Sequence, residues 1–340
     1  MSPQSPLSML SKASLAALVL ATFVSARASD AFRPADPFAD PANDVFNPLR
    51  YIASNSLSAV GVALTLAIAL AQTFLSIKYK TKYMLAMTIA AYTYAVGIAI
   101  RFGLAKQPDS SGLYIAFYLF ATLSPCGFIA AEYVLLGRLA RSLDGDAHLL
   151  IRPQKVTLIF VSSDITTFLI QAVGGSITSA AHDDVKKNQA GTRIFLAGLA
   201  IQLVSFAFFT LLYLRFLYRV HKYEPQVWMR DAHKSWFRDW RSLAAALVVS
   251  CIGVLVRSVY RTIELAQGFN GFLSRHEVYF YTLDFVPLIV ALVVYIPFWP
   301  GRFIDPAALA AKTSDAEKAG TSGSIEGVET LNEPVPAKEL

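Results

Sequence analysis

Residues 243–263 read LAAALVVSCIGVLVRSVYRTI. A helix of that length rises about 31 Å, and a bilayer's hydrocarbon core is about 30 Å thick. The segment is long and apolar enough to cross lipid, yet it carries two arginines, Arg257 and Arg261. A charge inside a span costs about 2.5–3.5 kcal/mol on insertion scales, so it is expected to face the bundle interior or water.

Six further segments of similar character flank this one: Ser56–Ile77, Tyr83–Leu104, Leu113–Leu136, Val156–Ile177, Ile194–Leu217 and Tyr279–Trp299. A spanning helix satisfies its own backbone hydrogen bonds, which an open sheet in lipid cannot do. The expected fold is therefore all-α, a polytopic membrane protein built as a seven-transmembrane-helix bundle. Composition agrees, with 55% apolar and only 16% charged residues, where soluble domains carry about 25% charged. The formal net charge of +6 resides in short segments beside the apolar runs, which argues against a nucleic-acid partner.

The distribution of Lys and Arg sets the orientation. Odd-numbered loops are basic, with Lys78, Lys80 and Lys82, then Arg138, Arg141, Arg152 and Lys155, then Arg215, Arg219, Lys222, Arg230, Lys234, Arg238 and Arg241. Even-numbered loops carry fewer. This places the N-terminus outside and the C-terminus in the cytoplasm. Before the first span, Lys12, an apolar run over Leu15–Val24 and Ala26-Arg27-Ala28 read as a cleaved signal peptide over 1–28; an uncleaved anchor is the alternative. Residues 29–54 read as an irregular, exposed extracellular leader. The membrane domain covers 55–301, and 302–340 reads as a disordered cytoplasmic tail. Trp228, Trp236 and Trp240 in the fifth loop suggest contact with the inner leaflet, or else a calmodulin-like partner site. A stripe of Ala59, Ala63, Ala67 and Ala71 is expected to let helices approach closely. Cys126 and Cys251 read as buried small apolar side chains.

The ionisable and amide residues within spans are the candidate site: Asp164, Glu132, Gln171, Gln202, Arg101, Arg257, Arg261, Glu264 and Asp284. Arg257, Arg261 and Glu264 share a helix face. Glu264 can pair with Arg261, and Asp284 on the next segment lies at a depth that suits Arg257. That group is either an ion-pair network fixing helix packing or a polar pocket for a headgroup. Asp164 stands on a polar stripe with Ser163, Thr167 and Gln171. It is either satisfied by hydrogen bonds or free to bind an amine or relay a proton.

Several of these stretches carry a family resemblance. Leu123-Ser-Pro-Cys-Gly-Phe-Ile-Ala-Ala-Glu-Tyr-Val-Leu-Leu-Gly-Arg138 resembles the third-span motif of the fungal RTA-like proteins, also called the lipid-translocating exporter family. Phe160-Val-Ser-Ser-Asp164 with Ile170-Gln171-Ala-Val-Gly-Gly175 resembles their fourth-span motif, and Gly198-Leu-Ala-Ile-Gln202 their fifth. Arg257-Ser-Val-Tyr-Arg261-Thr-Ile-Glu264, with Gly268, Gly271, Glu277, Asp284 and Pro300-Gly301, resembles the remainder. The resemblance implies a seven-helix fungal protein of the plasma membrane, or of internal membranes. It implies export or transbilayer movement of amphiphiles such as sphingoid long-chain bases, with stress resistance to toxic lipids or drugs. A membrane lipid or amphiphile is the expected partner, besides the bilayer itself. No P-loop pattern occurs, and the five histidines fall in loops on different sides, which disfavours a zinc-dependent enzyme. No cofactor, no metal and no enzymatic activity are expected. The alternative function is a seven-helix receptor or stress sensor without transport.

Overall fold

The computed structural model describes residues 36–44, 46–143, 149–150, 153–180, 185–231, 233, 235–268 and 271–304. The expected signal peptide over 1–28 and the tail from 305 onward lie outside the described residues. Among the described residues the regular structure is all helical. Six helices are long and apolar enough to cross a membrane, so the chain is a multi-pass membrane protein. They are α1 (Asn55–Lys78), α2 (Leu85–Lys106), α3 (Ser111–Ser142), α4 (Pro153–Ala180), α5 (Val185–Tyr223) and α6 (Trp240–Gln267).

The last apolar segment is built differently. A single α turn at Glu277–Tyr279 runs into a π-helical stretch at Phe280–Phe285, then into α7 (Val286–Val293), with turns following. Pro287 accounts for the widening. Its ring crowds the carbonyl four residues back and it offers no N–H, so the preceding turns cannot keep α geometry.

Consecutive helices pack side by side, α7 packs on both α6 and α1, and α3 touches α6 across the centre. The result is a closed ring. Two side-chain bonds seal its seam: Gln72 donates to the Leu292 carbonyl at 3.2 Å, and the Trp299 indole donates to Thr81 at 3.0 Å. Gly253 on α6 allows the close approach of the last segment, because a Cβ there would overlap the Pro287 carbonyl oxygen.

The expected alanine stripe does not make this packing. Ala59, Ala63 and Ala67 are exposed, while Ser58, Gly61, Thr65, Ile68 and Gln72 form the buried face of α1. Lipid is as apolar as alanine, so the polar side of α1 is the one that must turn inward. Close packing by small residues occurs instead between α4 and α5. There Gly174 lies against the Phe195 backbone, and Gly198 against Gln171 and the Thr167 carbonyl.

Other placements differ from the sequence reading. Arg138 and Arg141 belong to the last turns of α3, and His221 to the last turn of α5, rather than to loops. Trp240 is buried and packs edge-on against Trp228; only Trp236 of the three is well exposed. Of the expected leader, residues 36–44 and 46–54 are described; they form turns and bends and are not wholly exposed, since Asn47, Leu49 and Ala53 are buried.

Candidate functional site

Three carboxylates and three arginines meet at the upper end of the bundle, where α2 gives way to α3 and α6 stops. Asp284 is fully buried. Its Oδ1 lies 2.7 Å from Arg261 Nε and 3.1 Å from Arg257 Nε, and its Oδ2 accepts from Arg261 Nη2 at 3.0 Å. Arg261 also reaches Glu264 at 3.0 Å, and Glu264 accepts from the Tyr260 hydroxyl at 3.1 Å. The expected local pair and the expected cross-helix pair are thus both present, joined through one carboxylate. The π-helical stretch sets Asp284 into this position, and π turns inside helices recur at functional sites.

Arg257 has a second anchor, which a proline creates. Pro125 lies inside α3 and has no N–H to give to Ala121, four residues earlier. The Ala121 carbonyl instead accepts from Arg257 Nη2 at 2.6 Å. The gap in the α3 ladder is filled by a charge from α6.

Arg101, also fully buried, forms a neighbouring cluster. It pairs with Glu277 at 2.6 Å and donates to the Tyr51 hydroxyl at 3.3 Å. Its guanidinium carbon stands 4.4 Å from the Phe280 ring centre and 5.3 Å from that of Phe117. Glu277 in turn accepts the backbone N–H of Ser54, so this pair ties the segment before α1 to the last segment. Burial raises the Tyr51 hydroxyl above its ordinary range, though Arg101 beside it pulls the other way.

Two hollows follow the bundle downward. The upper one is bounded by Tyr51, Tyr114, Glu264 and Phe280. The middle one lies between α3, α5 and α6, beside Thr122, Pro125, Gln202 and Arg257. Tyr118 and Arg261 border both, with the guanidinium carbon 5.5 Å from the Tyr118 ring centre. At the lower edge of the middle hollow, Gln202 accepts from Gln171 at 2.8 Å and donates to Cys126 Sγ at 3.4 Å.

Asp164 lies two helical turns from Gln171 on the same face of α4. It is 5% exposed, and neither of its carboxylate oxygens has a hydrogen-bond partner in the described structure. The Tyr133 hydroxyl, also buried, stands close enough to act on the carboxylate but outside regular hydrogen-bond geometry. Tyr133 belongs to an aromatic cluster with Phe160, Phe206 and Phe209. The adjacent Glu132 points to the other side of α3 and contacts Ser250 and Cys251 of α6.

All nine candidate residues are therefore buried or half-buried among helices, but in three settings. Arg257, Arg261, Glu264 and Asp284 form one network and Arg101 a second. Asp164 and Glu132 stand apart, with Gln171 and Gln202 between Asp164 and the middle hollow. Tyr94, whose hydroxyl lies 3.5 Å from Asp284, Tyr118, Tyr133 and Ser250 have no charge to mark them in sequence. Glu277 lies outside the apolar runs and its partner is 176 residues away. The two cysteines are free, and both touch polar partners. No metal-holding cluster occurs among the described residues.

Residues 87–307 match the family model described as "RTA1 like protein". Among curated proteins of Saccharomyces cerevisiae, the chain is 31% identical to Protein RTA1 over 60% of its length, covering 62% of that protein. It is 29% identical to Protoporphyrin uptake protein 1 over 59% of its length, covering 63% of that protein. It is 29% identical to a protein named Sphingoid long-chain base transporter RSB1 over 58% of its length, covering 62%. The chain thus spans under two thirds of the length of these relatives. No solved structure matches it.

Proposed function

The chain belongs to the RTA1-like family, and from that premise we propose that it carries a single-tailed cationic amphiphile, such as a sphingoid long-chain base, from the inner to the outer leaflet. The observation that carries this reading is Asp164: a carboxylate 5% exposed inside a helix bundle, with the Tyr133 hydroxyl beside it and no cation paired with it among the described residues. A lone buried carboxylate is costly, and an ammonium group from a ligand would supply the missing partner. The amine would reach it past Gln202 and Gln171 from the middle hollow, while the alkyl tail stays against lipid or between helices. The name of one relative, a sphingoid long-chain base transporter, supports this substrate class.

In this reading the segmented helix from Glu277 to Val293 is the seventh span. The N-terminus lies outside, the C-terminus lies in the cytoplasm, and the plasma membrane is the site of action. The chain acts without catalysis. The loop basicity supports the orientation, and a tag placed after Gly301 becomes reachable only once cells are permeabilised.

The test is reconstitution of the purified full chain into liposomes with a labelled sphingoid base. Wild type moves the label and Asp164→Asn does not. Equal movement in wild type, variant and empty vesicles defeats the proposal.

A further inference from the structure

Glu132 is fully buried on α3, away from the arginine networks, and touches Ser250 and Cys251 of α6. The Ser250 hydroxyl contacts two oxygens, Glu132 Oε1 and, at 3.0 Å, the Ala291 carbonyl on α7. A hydroxyl owns one hydrogen, and a carbonyl or an ionised carboxylate can only accept. If Glu132 were ionised, one of the two contacts would set oxygen lone pairs against each other with no hydrogen between them. A neutral acid satisfies both: Glu132 donates to Ser250, and Ser250 donates to Ala291.

The surroundings agree. The Cys251 thiol lies 3.8 Å from the other carboxyl oxygen. The remaining titratable groups nearby are tyrosines: Tyr133 on α3, Tyr213 on α5 and Tyr295 after α7, whose hydroxyl also lies beside Ser250 but brings a hydrogen of its own and so leaves the count unchanged. The Tyr213 hydroxyl is already spent on the Ala244 carbonyl at 2.8 Å. No Lys, Arg or His pairs with Glu132 among the described residues.

We propose that Glu132, Ser250 and the Ala291 carbonyl form a proton-binding site at the junction of α3, α6 and α7, in which Glu132 is the neutral acid. The proton bound there is the donor of the Glu132–Ser250 bond. Its release leaves a carboxylate, which draws the single Ser250 hydrogen away from Ala291. The α7 carbonyl then loses its donor. Proton occupancy on α3 is thereby tied to how α6 holds the segment that carries Asp284. This goes beyond the amphiphile reading, since it concerns the proton and not the cargo.

The test is infrared spectroscopy of the full-length protein in phosphatidylcholine vesicles, with no amphiphile added, so its outcome is independent of transport. At neutral pH wild type shows a carboxylic-acid carbonyl band that is lost in Glu132→Gln and kept in Asp164→Asn. Ser250→Ala keeps the band but shifts its frequency, because the acid loses its acceptor; this variant identifies the same group if Glu132→Gln does not fold. Absence of an acid band, or a band unmoved by both Glu132→Gln and Ser250→Ala, overturns the assignment. Replacing potassium by sodium leaves the band in place; its loss in sodium would mark a cation site and equally overturn it.

Discussion

Asp284 and Asp164 are both buried aspartates among packed helices, and their settings are opposite. Asp284 receives two guanidinium groups, with a tyrosine hydroxyl at the limit of hydrogen-bond reach. Asp164 has the Tyr133 hydroxyl near it and no guanidinium or ammonium group among the described residues. The upper region of the bundle spends its charges on itself, which fixes the last segment against α2, α3 and α6. The lower region leaves carboxyl groups unmatched by any cation. A buried charge with its counter-charge is architecture; one without is open to a ligand or a proton.

This contrast is open to direct attack. The largest effect belongs to Asp284→Asn, which strands two buried arginines. Breaking such a pair costs about 3–5 kcal/mol, so the detergent-solubilised variant should unfold at a clearly lower temperature or fail to accumulate. Glu277→Gln should cost less, on the order of 1–3 kcal/mol, because Glu277 is 15% exposed and water can reach it. Pro125→Ala returns an N–H to the Ala121 carbonyl, which then competes with Arg257. Combined with Arg257→Lys in a double-mutant thermal cycle, it should show a coupling of about 0.5–3 kcal/mol; additivity would show that the proline does not position the arginine. The smallest stability change belongs to Asp164→Asn, within about 1 kcal/mol or slightly stabilising, since the variant removes an unsatisfied charge. A large loss of stability there would place Asp164 with Asp284 and erase the contrast.

The helices were legible because an apolar run of about 20 residues has one way to satisfy its backbone in lipid. Arg257 with Asp284 was legible for a related reason, since charges at matching depth in adjacent spans have few other partners. The inward face of α1 was not. Apolar side chains gain nothing by choosing a neighbour over lipid, so Ala59 and Ala63 gave no true signal, whereas Ser58, Thr65 and Gln72 carried it. The π turn at Phe280–Phe285 depends on Pro287 acting within a packed ring, and hydropathy averages over both. The Arg101–Glu277 pair joins residues far apart in the chain, and neither local spacing nor span depth points to it. Ser250 illustrates the same limit, because its meaning comes from counting hydrogens across three helices.

The helices of this ring also differ greatly in reach. α1 has 24 residues and α2 has 22, about 36 Å and 33 Å of rod, whereas α5 has 39, about 58 Å. Against an apolar slab about 30 Å deep, the first two have little to spare and the fifth has several turns in reserve. A thicker bilayer would be felt first at the α1–α2 side, by stretching or tilting there, while α5 would only draw spare turns inward. Among the six long helices the shortest limit the lipid thickness that suits this protein, and changes in acyl-chain length should tell on the sealed seam, where α1 meets the short last segment, before they tell on the α4–α5 pair.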